Sequence, residues 1–99
     1  MGNVELGEKT SVWYGATLIG TKKISVGDNC VIQDRAHLSS EVIIEDDVFV
    51  GPNVMLQGSI LKNRAFVSMG STVRHSTVES GGFVAAGAVI PDNVVIKEG

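Results

Sequence analysis

From Leu61 to Ile96 the chain reads LKNRAF, VSMGST, VRHST, VESGGF, VAAGAV, IPDNVV, I, and an aliphatic residue opens every block. Two places before each opener stands a small or β-branched residue. A six-residue block fits neither the 3.6-residue period of an α-helix nor the two-residue alternation of a plain strand. It predicts short flat strands with a corner about every six residues. Extended both ways, the register gives the openers Leu6, Val12, Leu18, Val26, Ile32, Leu38, Ile44, Val50, Leu56, Leu61, Val67, Val73, Val78, Val84, Ile90 and Ile96.

The steps between openers are six residues, except the third, which is eight, and the ninth and twelfth, which are five. Every exception is a multiple of three. Three blocks therefore complete one turn, and a single corner absorbs the insertions and deletions. The cross-section is a triangle, and the openers stack in three columns. The first is Leu6, Val26, Ile44, Leu61, Val78 and Ile96; the second Val12, Ile32, Val50, Val67 and Val84; the third Leu18, Leu38, Leu56, Val73 and Ile90. Strand alternation turns the residues two before each opener inward as well, among them Ile24, Cys30, Ala36, Ser59 and Gly82. Ile24 is the bulky one of that set, and it lies in the eight-residue step. The pattern predicts an all-β fold, a parallel β-helix of hexapeptide repeats with about five triangular turns, over 1–99 as one domain.

Composition agrees. Twelve glycines suit tight corners, and 5% aromatics suit a narrow core. The net charge is −3 with signs interspersed, and no basic run exceeds Lys22-Lys23, which argues against nucleic acid as a partner. No apolar run approaches the length of a bilayer span, and no signal segment is visible. The lone Cys30 excludes an internal disulfide and reads as a small buried filler. Glu45-Asp46-Asp47 reads as a solvated corner. Gly51, Gly70 and Gly87 recur beside corners and are expected to take positive backbone angles. The text stops in mid-pattern, so a piece of a longer protein is expected, with an unpaired strand edge at each end.

Three stretches are more specific: Ser11-Val12-Trp13-Tyr14-Gly15-Ala16-Thr17-Leu18, Ile32-Gln33-Asp34, and Val84-Ala85-Ala86-Gly87-Ala88-Val89-Ile90. They resemble the γ-class carbonic anhydrases, in the same block register and over essentially the full chain. The resemblance implies a left-handed helix of strands, a trimer with sites between subunits, and a C-terminal helix beyond this stretch. In that family three histidines hold zinc, which acidifies a bound water so that it attacks carbon dioxide.

Here the corresponding positions are Ser39, Pro52 and Gln57. Residues 39 and 57 should stack at one corner in adjacent turns, with 52 at another. A hydroxyl, a prolyl ring and an amide do not make a zinc site. His37, just before Leu38 and pointing outward, is the candidate for a displaced ligand, although one imidazole is not a site. His75 reads as a surface residue. The family's interface arginine and acid correspond to Ile19 and Thr21, and the asparagine before the Gln-Asp pair to Val31. Gln33 and Asp34 remain. The resemblance gives them roles in orienting the site water and tying the interface; without a metal they read as polar groups pairing across a boundary or with backbone. Trp13 and Tyr14 read as packing on the lower edge or against a neighbouring subunit.

The functional expectation is therefore a structural, non-catalytic γ-carbonic-anhydrase-like subunit without a cofactor. Proteins resembling it form heterotrimers in the mitochondrial respiratory NADH dehydrogenase complex, complex I, on the matrix side of its membrane arm. Its expected partners are other γ-carbonic-anhydrase-like subunits and membrane-arm subunits of that complex. Two alternatives stand beside it. One is an active zinc enzyme with a displaced or partner-supplied interface site. The other is a hexapeptide acyltransferase, which needs a catalytic histidine on a long loop and a pantetheine groove. A cytoplasmic homotrimer is the alternative in localisation.

Overall fold

The computed structural model describes residues 2–98, including the side chains of all but Gly2, Asn3, Gly20 and Thr21. The aliphatic rhythm is realised as short strands in successive coils. The first coil comprises β1 (Gly2–Leu6), β2 (Ser11–Val12) and the start of β3 (Thr17–Val26). The second takes the end of β3, then β4 (Val31–Ile32) and β5 (His37–Ser39). The third is β6 (Val42–Ile44), β7 (Phe49–Val50) and β8 (Met55–Gln57). The fourth is β9 (Ile60–Leu61), β10 (Phe66–Val67) and β11 (Thr72–Arg74). The fifth is β12 (Thr77–Val78), β13 (Phe83–Val84) and β14 (Val89–Ile90), and β15 (Val95–Ile96) begins another. Among the described residues there is no helix.

Every strand pairs in parallel with strands one coil away, so the fold is a parallel β-solenoid. The three predicted columns are its three ladders. Leu6 pairs with Val26, Val26 with Ile44, Ile44 with Leu61, Leu61 with Val78 and Val78 with Ile96. The second column runs through Val12, Ile32, Val50, Val67 and Val84. The third runs through Leu18, Leu38, Leu56, Val73 and Ile90. The eight-residue step is the long β3, which passes through the third corner unbroken and so belongs to two faces.

Openers from Val26 to Val84 are buried, together with Ile24, Cys30, Ala36, Val42, Val48, Val54 and Ala65 from the second inward set. Burying each of the larger aliphatics contributes about 1.5–3 kcal/mol. At the lower end the same kinds of residue lie open: Leu6 is half-exposed, and an apolar hollow is lined by Val4, Leu6, Val12, Ala16 and Leu18.

The corners have their own register. Left-handed backbone conformations stack as Lys9, Asn29, Asp47, Arg64 and Gly81 at the first corner, and as Gly15, Arg35, Asn53, Gly70 and Gly87 at the second. The third corner stacks Ser40, Gly58, His75 and Asn93. A residue with a Cβ loses roughly 1–2 kcal/mol in this conformation, so tertiary pairing holds it there. Gly70 and Gly87 behave as expected. Gly51 does not: it is buried, lies outside the positive-φ set, and a Cβ on it would sit 2.8 Å from the Met69 backbone nitrogen. Its requirement is close approach of two coils rather than backbone freedom.

Candidate functional site

The second and third corners bound one face of the prism, built on β5, β8 and β11. Ser39 and Gln57 are direct partners across β5 and β8, so they stack in adjacent coils at the third corner. Pro52 lies at the second corner, where its carbonyl accepts the Gly70 N–H at 2.9 Å. The predicted spacing is therefore met. The donors in it are a half-buried hydroxyl, a ring without N–H, and a half-buried amide.

His37 is half-buried on β5, between Thr17 and Met55 of the flanking coils. Neither neighbour is a histidine, cysteine or carboxylate, the side chains that hold zinc. Among the described residues no group of three or more His, Cys, Asp or Glu is placed to hold an ion. This donor set does not fit zinc. The Thr21 side chain lies outside the described residues; Ile19 is exposed at the start of the face.

The Gln-Asp pair sits at the second corner. Gln33 is half-buried and its N–H donates to the Val50 carbonyl at 2.9 Å. Asp34 accepts the Asn53 N–H on its own carbonyl at 2.9 Å. Its side-chain Oδ1 is buried and has no hydrogen-bond partner among the described residues. Arg35 does not serve it, because Nε donates to Asn53 Oδ1 at 3.3 Å. Of the two readings offered for Asp34, pairing across a boundary or with backbone, the second is not met by this oxygen among the described residues. Trp13 is half-exposed and Tyr14 is 91% exposed on the same ridge, so Tyr14 does not pack on the chain's lower edge.

The acidic corner has a structural role. Asp28 Oδ1 accepts the Glu8 N–H at 2.8 Å, Asp46 Oδ1 the Asp28 N–H at 2.8 Å, and Asn63 Oδ1 the Asp46 N–H at 2.9 Å. Each side chain caps the coil below it. Gly7 and Gly27 lack the Cβ that would collide with these carboxylates. Cys30 is buried; its Sγ–H donates to the Glu45 carbonyl at 3.0 Å. Burial pushes this thiol above its ordinary range, with the Asp46 and Asp47 carboxylates adding to the rise, so it is held as an unreactive thiol.

Two features escaped the sequence reading. One is a polar cleft at the third corner, lined by Lys22, Ser40, Glu41, Gly58 and His75, where the exposed His75 ring occupies the space a Gly58 side chain would fill. The five-residue step across Gly58 was its trace in the sequence. The other is a row of stacked rings on the second face. Phe49 and Phe66 have centroids 4.6 Å apart, and Phe66 and Phe83 are 5.4 Å apart. Phenylalanine directly before the last three second-column openers, Val50, Val67 and Val84, was its signal.

Comparison with known proteins bears on this geometry. Residues 23–58 match the family described as bacterial transferase hexapeptide (six repeats). The chain is 36% identical over 111 residues to gamma carbonic anhydrase 1, mitochondrial, of Arabidopsis thaliana, across 100% of this chain and 40% of that protein. It is also 36% identical, over 73% of its length, to a carbonic anhydrase of Geobacillus kaustophilus, covering 42% of that protein. The chain thus spans about two fifths of these relatives. Among solved structures, a hexapeptide transferase family protein from Anaplasma phagocytophilum superimposes with a TM-score of 0.97 at 36% identity, over 99% of this chain and 61% of that one. Repeat register, corner geometry and these similarities converge: the chain belongs to the hexapeptide-repeat family, with γ-class carbonic anhydrases among its homologues.

Proposed function

We propose that this chain is a non-catalytic, γ-carbonic-anhydrase-like structural subunit of a trimer bound to mitochondrial respiratory complex I. The observation that carries the reading is the donor set at the three resemblance-derived positions, Ser39, Pro52 and Gln57, in a scaffold whose spacing is otherwise kept. A neutral hydroxyl, a prolyl ring without a free donor and an amide neither hold zinc firmly nor lower the pKa of a bound water. Hydration of carbon dioxide through them has no nucleophile. The mitochondrial designation of the Arabidopsis relative supports a mitochondrial location, and the matrix side of the inner membrane belongs to the same proposal. No helix of the described residues is long and apolar enough to cross a membrane; attachment through partner subunits is part of the same proposal.

The test is elemental analysis and a carbon dioxide hydration assay on the purified assembly, with fractionation of intact respiratory complexes beside them. Sub-stoichiometric zinc, hydration at the uncatalysed rate, and co-migration with NADH dehydrogenase activity are expected. One zinc or more per copy with hydration activity would overturn the non-catalytic reading in favour of a displaced or partner-supplied site. Absence from the NADH dehydrogenase fraction would overturn the placement.

A further inference from the structure

The third corner is the one at which the coils differ in length. The step across it is eight residues from Leu18 to Val26, six from Leu38 to Ile44, and five from Leu56 to Leu61 and from Val73 to Val78. The corner therefore recedes on going up the prism, and a cleft of about 200 Å³ opens where the long passages meet the short ones. Lys22 reaches it from the unbroken β3, Ser40 and Glu41 from the turn between β5 and β6, Gly58 from the turn after β8, and His75 from the turn after β11. Ser40, Gly58 and His75 share the left-handed backbone conformation. The Gly58 N–H donates to the Ser39 carbonyl at 3.2 Å and the His75 N–H to the Gln57 carbonyl at 2.8 Å, so the turns are tied coil to coil. Gly58 supplies a floor without a side chain, and the His75 ring lies over it.

The charges on these walls are unmatched. Lys23, Lys62 and Arg74 pair with Glu5, Glu79 and Asp92, whereas Lys22, Glu41 and His75 belong to no ion pair among the described residues. All three side chains are exposed. An ammonium and a carboxylate that line one small cleft without closing on each other leave room for a ligand that carries the complement of both. A simple anion drawn to Lys22 meets the Glu41 carboxylate as well, and a simple cation drawn to Glu41 meets Lys22. Coulomb's law makes a like-charge contact as costly as the opposite contact is favourable at the same distance. A zwitterion removes that conflict.

We propose that this cleft binds a small α-amino acid. Its carboxylate takes the Lys22 ammonium and the Ser40 hydroxyl, and its ammonium takes the Glu41 carboxylate. The His75 ring closes the side opposite, and the cleft is smaller than those that hold drug-sized ligands, which restricts the amino acid to a short side chain. The cleft has no part in the trimer or complex I proposal, so the two stand or fall separately.

The test is a heteronuclear NMR titration of the full chain with L-alanine, with acetate and ethylammonium as single-charge probes and circular dichroism as a fold check. Saturable shifts of the Ser40, Gly58 and His75 amides are expected at millimolar alanine, with both single-charge probes about tenfold weaker or more. K22Q and E41Q should each weaken alanine about tenfold, while K22R, which keeps the charge, should retain it. Should one neutralised variant fail to fold, the other and the two single-charge probes still decide. Acetate bound as tightly as alanine overturns the zwitterion in favour of a plain anion site. Shifts that survive both K22Q and E41Q place the ligand elsewhere, and the absence of any saturable shift up to about 100 mM shows that Lys22 and Glu41 are only solvated charges; either result overturns the site.

Discussion

At the scale of single residues, identical letters do different work. Gly51, Gly70 and Gly87 all stand beside the second corner, but Gly51 is one place past its opener, Val50, whereas Gly70 and Gly87 are three places past theirs, Val67 and Val84. Gly70 and Gly87 have φ near +70° and open space where a Cβ would go. Alanine there incurs backbone strain of roughly 1–2 kcal/mol, and asparagine, which tolerates this conformation, incurs less. At Gly51 the obstacle is other backbone: Met69 N at 2.8 Å, Ser68 C and Val67 O at 3.1 Å. A β-carbon must push one coil off the next and threaten the Gly51 N–H bond to the Val67 carbonyl, 2.8 Å long. We expect G51A to lose about 2–3 kcal/mol and G70N less than about 1 kcal/mol. Urea titration of both variants checks this. Equal losses would mean that the corner conformation, not the coil-to-coil distance, sets the demand at all of these glycines.

At the scale of elements, side chains add a second lattice to the backbone ladders. Ser59 and Ser76 fall where the two five-residue steps shorten the third corner, and both are buried. Ser59 Oγ–H lies within reach of the Gln57 carbonyl at 3.1 Å and the Val73 carbonyl at 3.0 Å, bridging neighbouring coils. Ser76 Oγ lies 2.5 Å from the Pro91 carbonyl and accepts the Val94 N–H at 3.0 Å. Its removal leaves a donor and an acceptor unmatched in the shortened corner. S76A should therefore lose about 1–3 kcal/mol. By contrast D46N keeps the oxygen that caps the Asp28 N–H and should stay within about 0.5 kcal/mol. Paired denaturation curves decide it; a large loss in D46N would show that charge, not an acceptor atom, is what that corner uses. Elements of this kind explain what was legible in the sequence and what was not. The inward columns are a matter of period, and period survives in the letters. Which serine bridges coils, or that Asp34 keeps an orphan oxygen, depends on the coil above and below, and no local pattern of residues records it. The positions of Ser39, Pro52 and Gln57 came from the resemblance to the γ-class carbonic anhydrases, and the block register then placed them on their corners.

At the scale of the whole molecule, each coil is held by its neighbours and by little else, so the solenoid should tolerate change in units of a coil and not in units of a block. Val50 and Val67 are partners in adjacent coils of the second column, so excising residues 50–66 joins Phe49 to Val67 in unchanged phase. Each remaining opener keeps its face, and the Phe49 ring comes to occupy the place of Phe66 beside Phe83. The lost terms are one coil of burial and its ladders, partly offset by the chain entropy no longer spent on it. Excising only residues 61–66 removes far less chain but moves every later opener round by one face. Leu61 then gives way to Val67 in the first column, the five-residue step from Val73 to Val78 falls on the wrong corner, and the His75 N–H no longer meets the Gln57 carbonyl. We expect the coil deletion to fold with a β-rich circular dichroism spectrum and a cooperative, weaker urea transition, and the block deletion to show neither. If the smaller deletion proves the more stable, the three corners are interchangeable, and the stacking of like corner on like corner is not what holds the prism together.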